Sequence, residues 1–348
     1  VSQSTTDRDI RASSKNKEES TTVLKFEDNN LLAQLVGEHD RHIARIEQGL
    51  KVSITPRGNQ MAISGSKDAQ EMAKQVLQDL YARLEKKLEV ANGEIDAAIR
   101  MATDGPASDG SRASVAATGD MIVTKRRRIT PRSTNQSYYV RSLREHELVF
   151  GLGPAGTGKT YLAVANAVAM MIEGQVDRII LARPAVEAGE KLGFLPGDMR
   201  DKIDPYLRPL YDALYDMLPA EEVVKRLENG EIEVAALAFM RGRTLSNAAI
   251  ILDEAQNTTP VQMKMLLTRM GENSRMAVTG DLSQVDLPIG MRSGLQEAVH
   301  VLRGVKGVDF INFGESDVVR HKLVTRIVRA YGEHDKEKKL NLSGGDKR

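Results

Sequence analysis

The sequence predicts an α/β fold, a parallel sheet covered by helices on both faces, preceded by a small α+β unit. Three observations carry this. Between residues 140 and 331, short apolar runs alternate with helical stretches, the pattern of β-α units laid side by side. The first of these runs, Leu148–Leu152, passes through a glycine-rich turn into an Ala/Val/Met-rich helical stretch that stops at Gly174. Upstream, residues 22–89 read in the order β-α-α-β-β-α.

Residues 1–21 are polar and nearly devoid of aliphatics, so disorder is expected there. The small domain begins with a strand at residues 23–26, followed by helices over 29–35 and 41–50. Residues 51–56 and 60–64 alternate as strands do, and Arg57-Gly58-Asn59 between them has hairpin chemistry. Residues 68–84 then place Ala69, Met72, Ala73, Val76, Leu77, Leu80 and Leu84 on one face of a long helix. Residues 90–124, with Asn92-Gly93, Gly105-Pro106 and Asp109-Gly110, read as a linker holding a short helix near 94–101. Seven basic residues follow without an acid: Lys125, Arg126, Arg127, Arg128, Arg132, Arg141 and Arg144. A solvated basic linker and a patch facing RNA or nucleotide both fit them. Residues 125–331 form the α/β domain, with strands expected at 148–152, 178–182, 233–237, 249–252, 276–279 and 308–313. A charged tail spans 332–348.

Composition narrows the function classes. The 348 residues are 41% hydrophobic and 28% charged, a soluble globular profile. The absence of cysteine excludes disulfides and thiolate metal sites. The six histidines are scattered, and the His39/His42 pair at i, i+3 spacing is expected at the surface. No apolar run approaches a membrane span and the start is unlike a secretory signal, so a cytoplasmic protein with no membrane partner is expected. With a net charge of +1, any nucleic-acid surface has to come from local patches.

The chemistry starts at Gly153-Pro154-Ala155-Gly156-Thr157-Gly158-Lys159-Thr160. Glycines there let successive N–H groups turn inward toward phosphate oxygens, and the helix that follows presents its positive end. Lys159 would reach the β- and γ-phosphates of ATP, and Thr160 would offer its hydroxyl to Mg²⁺. The strand ending in Asp253-Glu254 would place its acids beside that loop, Asp253 holding Mg²⁺ and Glu254 polarising the attacking water. A helix N-cap is the other use of such acids. A third strand ends in Thr279-Gly280-Asp281-Leu282-Ser283-Gln284, where Gln284 could sense the γ-phosphate and Asp281 could support water or metal; a plain β-turn is the alternative.

These motifs resemble the PhoH family of ATPases, whose core is similar to that of superfamily 1 helicases, a RecA-like P-loop NTPase core. Further matches are Arg183-Pro184, Glu187-Ala188-Gly189-Glu190, Leu192 to Asp198, Asp204-Pro205-Tyr206, Arg241-Gly242-Arg243-Thr244 and Asp317-Val318-Val319-Arg320-His321. The resemblance implies ATP hydrolysis and a link to RNA metabolism, through unwinding or through partnership with an rRNA-processing nuclease. It implies an adenine-reading role for Asn135-Gln136, since an amide both donates and accepts. It also implies single-stranded RNA near Arg241-Gly242-Arg243-Thr244; Tyr206, Tyr211 and Tyr215 serve either packing or base stacking. A cation is expected against the γ-phosphoryl charge, from Arg320 or Arg326. Because only a short tail follows Tyr331, that arginine is expected from a neighbouring subunit, in a homo-oligomer or ring. One departure from the helicase pattern is Gln284-Val285-Asp286-Leu287-Pro288, where glutamine usually precedes Leu-Pro directly. The upstream unit resembles a KH-type RNA-binding domain, but its tip, Gly37-Glu38-His39-Asp40, has Asp40 for the second glycine, and an acidic tip repels phosphate.

Overall fold

The computed structural model describes residues 21–103, 120–184, 199–288 and 290–319, with Val324, Ile327 and Ala330, and residues 199–205 by their backbone. Arg320, Arg326, residues 187–198 and the tail at 332–348 lie outside the described residues, as does most of the N-terminal stretch. The chain divides into two compact units, with the boundary after Gly105.

In the first unit, strands β1 (Thr21–Lys25), β2 (Ser53–Arg57) and β3 (Gln60–Ser64) form an antiparallel sheet in the order β1-β3-β2. Helices α1 (Asn29–Val36), α2 (Arg41–Leu50) and α3 (Lys67–Glu85) pack about it. Asp28 caps α1 by accepting from the Asn30 and Leu31 N–H groups, satisfying donors the helix cannot. The apolar face foreseen for α3 is buried at Ala69, Ala73, Val76, Leu77, Leu80 and Leu84.

Two expectations change in this unit. Residues 92–103 form a full helix, α4 (Asn92–Thr103), that buries Ile95, Ala97, Ala98 and Met101 against α2 and α3. Arg45 on α2 donates from Nε to Asp96 Oδ1 at 2.6 Å, and the Ile99 side chain sits so close to Gly49 that a Cβ there would be 2.9 Å from it. The unit therefore runs past Glu89 to the end of α4. His42 is also no surface residue. Its ring is buried with Nδ1 3.1 Å from the Leu35 carbonyl oxygen, and it fills the space a Cβ on Gly37 would need. The tip keeps Glu38 and Asp40 exposed, with His39 and Asp40 in left-handed backbone at φ 53° and 57°.

The second unit opens on a small hairpin, β4 (Ile122–Val123) with β5 (Arg128–Ile129), whose Ile122 and Ile129 enter the main core. Five of the seven basic residues serve this region. Lys125 pairs with Glu222 at 2.8 Å and Arg127 with Asp216 at 2.5 Å, while the Arg126 guanidinium donates to the Tyr215 carbonyl. Arg141 pairs with Asp120 at 3.2 Å and Arg144 donates to the Met121 carbonyl at 2.9 Å. These cations fasten the chain entering the unit to its helices, while Lys125, Arg127 and Arg141 keep about half of their side chains exposed.

All six expected strands are present: β6 (Leu148–Leu152), β7 (Arg178–Arg183), β8 (Ile232–Ala236), β9 (Ala248–Leu252), β10 (Arg275–Gly280) and β11 (Val308–Asn312). They form one parallel sheet in the order β11-β6-β10-β9-β7-β8. Alternate residues serve opposite faces. Val149, Ile179, Leu181 and Ile251 pack in one core with residues of α5 (Thr134–Glu145), α6 (Lys159–Ile172), α7 (Met199–Met217) and α8 (Ala220–Glu228). Phe150, Ile180, Ile250 and Val278 pack in another with residues of α9 (Pro260–Leu267) and α10 (Gly294–Val301). Parallel strands buried on both faces explain why each reads as a near-continuous apolar run. β6 lies one strand in from the sheet's edge, paired with β11 and β10, so the loop leaving its C-terminal end emerges between neighbours on both sides, where open α/β sheets bind ligands.

Candidate functional site

Four strands deliver polar groups to one edge of the sheet: β6 the glycine-rich loop, β7 Arg183, β9 Asp253 and β10 Thr279 with Asp281. The loop turns on left-handed glycines, with φ of 83° at Gly156 and 85° at Gly158. Gly153 is required for a second reason, since a Cβ there would lie 2.3 Å from the Phe313 carbonyl oxygen. Gly158 caps α6, so the positive end of that helix points into the loop. Lys159 Nζ lies within the loop, donating to the carbonyls of Gly153 at 2.7 Å and Pro154 at 2.9 Å. The Thr157 hydroxyl donates to Pro154 O at 3.0 Å and closes the turn.

Asp253 is the centre of the constellation, buried at 3% exposure. Its Oδ1 accepts from the Thr160 hydroxyl at 2.5 Å and the Thr279 hydroxyl at 2.7 Å. Its Oδ2 accepts from Arg183, through Nε at 2.7 Å and also through Nη2. Arg183 in turn donates from Nη1 to the Tyr206 carbonyl on α7 at 2.7 Å, and its Nη2 lies 3.9 Å from Glu254 Oε1. A buried carboxylate is tolerable because every lone-pair direction in use meets a donor and one donor is a cation. Thr160 and Asp253 thus put hard oxygens side by side. Among the described residues no group of three or more His, Asp or Glu could hold a metal. That set suits Mg²⁺, which takes one or two protein oxygens and completes its shell with phosphate and water.

Glu254 follows in left-handed backbone at φ 54°, a conformation costing a non-glycine residue about 1 kcal/mol or more. Its carboxylate is half exposed, in contrast to that of Asp253. The helix-cap alternative for these acids fails: the turn at Ala255–Asn257 has no side-chain cap, and α9 is capped instead by Thr259 in a box with Gln262. Beneath the loop lies Tyr139, fully buried, its ring against Gly151. Burial pushes its phenol well above the usual tyrosine range, and the Asp253 charge adds to the effect.

Residues 128–332 match the family described as PhoH-like protein. The chain belongs to the PhoH-like family. It is 46% identical over 304 residues to a PhoH-like protein of Bacillus subtilis (strain 168), covering 86% of this chain and 94% of that one. A PhoH-like protein of Mycobacterium leprae (strain TN) is 46% identical over 310 residues, 88% of this chain and 87% of its own. Protein PhoH of Escherichia coli (strain K12) is 46% identical over 205 residues, 58% of each chain.

Within this PhoH-like chain the remaining expected residues are placed as follows. Gln136 lies behind the loop, its Nε2 donating to Thr157 O at 2.8 Å and its Oε1 accepting from Arg132 N at 2.7 Å. One end of the amide braces the loop and the other holds the chain just before α5. Gln284 is exposed on the loop after β10, its N–H bonded to Asp281 O at 3.1 Å, so the local turn is real. Asp281 Oδ1 accepts from Ser283 N and Oγ, while Oδ2 is buried without a hydrogen-bond partner. Arg320 and Arg326 lie outside the described residues, but Val319 N donates to Gly156 O at 2.9 Å, tying the preceding segment to the loop. Arg243 pairs with Glu233 through two bonds of 2.7 Å. Tyr211 and Tyr215 pack against the core. Sequence reading gave no role to Thr279, Arg183 or Gln256. For the first two the signal was available, a polar residue ending an apolar strand at the same sheet edge.

Proposed function

We propose that this PhoH-like chain is an Mg²⁺-dependent ATPase acting in RNA metabolism, remodelling or unwinding RNA or ribonucleoprotein. The observation that carries the reading is the meeting of Thr160 and Asp253 at 2.5 Å beside a loop whose lysine is already directed into it. Loop amides, Lys159 and the N-terminus of α6 would grip the triphosphate of ATP. Thr160 and Asp253 would hold Mg²⁺, which supplies charge neutralisation between the β- and γ-phosphates. Glu254, one residue on and open to solvent, would orient the attacking water. A cation from Arg320 or Arg326 of a neighbouring subunit completes the proposal, in a cytoplasmic homo-oligomer.

The test is ATP hydrolysis with and without single-stranded RNA. Turnover stimulated by RNA, and abolished in Lys159→Ala, is expected. A second reading, an ATP-controlled scaffold for an RNA-processing nuclease, draws support from five basic residues engaged within the chain and from the acidic tip of the first unit. Turnover indifferent to RNA but altered by such a partner would favour it. Mixing Lys159→Ala with Arg320→Ala or Arg326→Ala subunits tests the arginine. Restored activity supports action between subunits, and no rescue in either mixture counts against it.

A further inference from the structure

Gln256 is 1% exposed, yet it contacts the half-exposed Glu254. Its Nε2 donates to Glu254 Oε2 at 2.6 Å, and its Oε1 accepts from the Asp281 N–H at 3.1 Å. The fit around it is close, because a Cβ on Gly280 would come within 2.8 Å of that same Oε1. A neutral amide can serve a carboxylate and a peptide N–H at once, as donor to the first and acceptor from the second. Three further bonds fasten the same turn to the segment after β10. The Ser293 hydroxyl donates to Gln256 O at 2.7 Å, Asp286 N to Asn257 Oδ1 at 2.8 Å, and Gly294 N to Thr258 O at 2.7 Å. The loop from Asp281 to Ser293 is therefore held at several points to the turn that carries Glu254.

We propose that Gln256 is a positioning residue: it sets the rotamer of Glu254 for water orientation and couples that carboxylate to the Asp281–Ser293 loop. This rests on the ATPase reading, with Glu254 as the group that orients water. Such a side chain would otherwise spread over several rotamers, and a misplacement of about 1 Å can cost ~100-fold in rate. The segment hydrogen-bonded to the turn that carries Glu254 exposes Leu282, Val285 and Met291. A change at the nucleotide is thereby carried to a surface.

Two variants separate the bonds. Gln256→Glu keeps an acceptor for Asp281 N–H but removes the donor to Glu254, whereas Gln256→Leu removes both. For Gln256→Glu we expect kcat to fall at least ~10-fold, with the affinity for a fluorescent Mg²⁺–ATP analogue within about twofold of the parent. Combined with Glu254→Gln it should be no slower than Glu254→Gln alone, because a residue acting through Glu254 has nothing left to act on. Amide hydrogen exchange across the loop is read beside these with a non-hydrolysable ATP analogue. Analogue binding should alter exchange at Asp281–Ser293 in the parent and leave it unaltered in Gln256→Leu. Parent-like kcat in both variants, or a double variant slower than Glu254→Gln, overturns the proposal. An analogue that binds the parent without altering loop exchange also overturns it and leaves the ATPase reading intact. If the parent binds no analogue, the ATPase reading fails and this inference falls with it. If the parent binds but does not turn over, hydrolysis is refuted and with it the water-orienting role.

Discussion

Arg183 and Asp253 share a two-pronged contact: Nε and Nη2 of the arginine both donate to a single carboxylate oxygen, Oδ2, leaving Oδ1 to the hydroxyls of Thr160 and Thr279. The two oxygens of one acid are thus divided between a structural cation and the face toward the loop. Lysine cannot reproduce the fork. In Arg183→Lys, kcat should drop ~10–100-fold with the fold retained, judged by steady-state kinetics and circular dichroism. Arg183→Ala leaves a buried carboxylate without its cation and should cost about 3–5 kcal/mol in denaturant unfolding. An unchanged kcat in Arg183→Lys would refute the importance of the fork.

Gly153→Ala should damage the site without touching a phosphate-facing side chain. The added methyl would lie 2.3 Å from the Phe313 carbonyl, a backbone atom that moves only with β11. Nucleotide affinity is expected to fall at least ~10-fold, with an overpacking penalty of about 1–3 kcal/mol. Titration with a fluorescent nucleotide and a thermal melt read the two effects separately.

Tyr139→Phe tests the opposite sign. The Tyr139 hydroxyl is buried without a hydrogen-bond partner, so removing it discards a desolvated polar group and leaves the ring against Gly151 and Phe313. Stability should be unchanged or raised by about 1 kcal/mol, seen as an equal or higher Tm. A clear loss would mean that the hydroxyl has a partner in solution.

The hairpin attachment should depend on pH. Burial pushes the Glu222 carboxyl up, but hydrogen bonds from Lys125 and Arg226, with their charges, outweigh it and hold the group below its ordinary value. A depressed folded-state value means stabilisation present above the unfolded pKa of about 4.3 and lost as pH falls through the folded value. Glu222→Gln should therefore melt below the parent at pH 7, by less than about 1 kcal/mol, and converge with it in more acid solution. Parallel melting curves at all pH values would show that the pairs contribute nothing.

The order of strands and helices was readable because parallel strands buried on both faces cannot avoid apolar runs, and β6 to β11 are such runs. The loop and the Asp253-Glu254 pair were equally plain, since each function occupies consecutive residues. What escaped were contacts across the chain. Gln256 meets Asp281 25 residues away, and its position two residues after Glu254 gave no hint of a bridge. Gln284 is separated from Leu287-Pro288 by two residues, a departure from the helicase spacing, and its side chain is exposed. The basic run looked unpaired because its acids, Asp216 and Glu222, come about 90 residues later. His42 looked like a surface residue because nothing local announces that Gly37 makes room for its ring.

The packing of α4 bears on how the first unit can be isolated. Ile95, Ala98 and Met101 close the side of α2 and α3 that would otherwise face water, and the Ile99 side chain occupies the notch at Gly49. Severing the polypeptide at Glu89 would strip away that cover and orphan Arg45, so the shortest fragment with a sealed interior ends beyond Thr103.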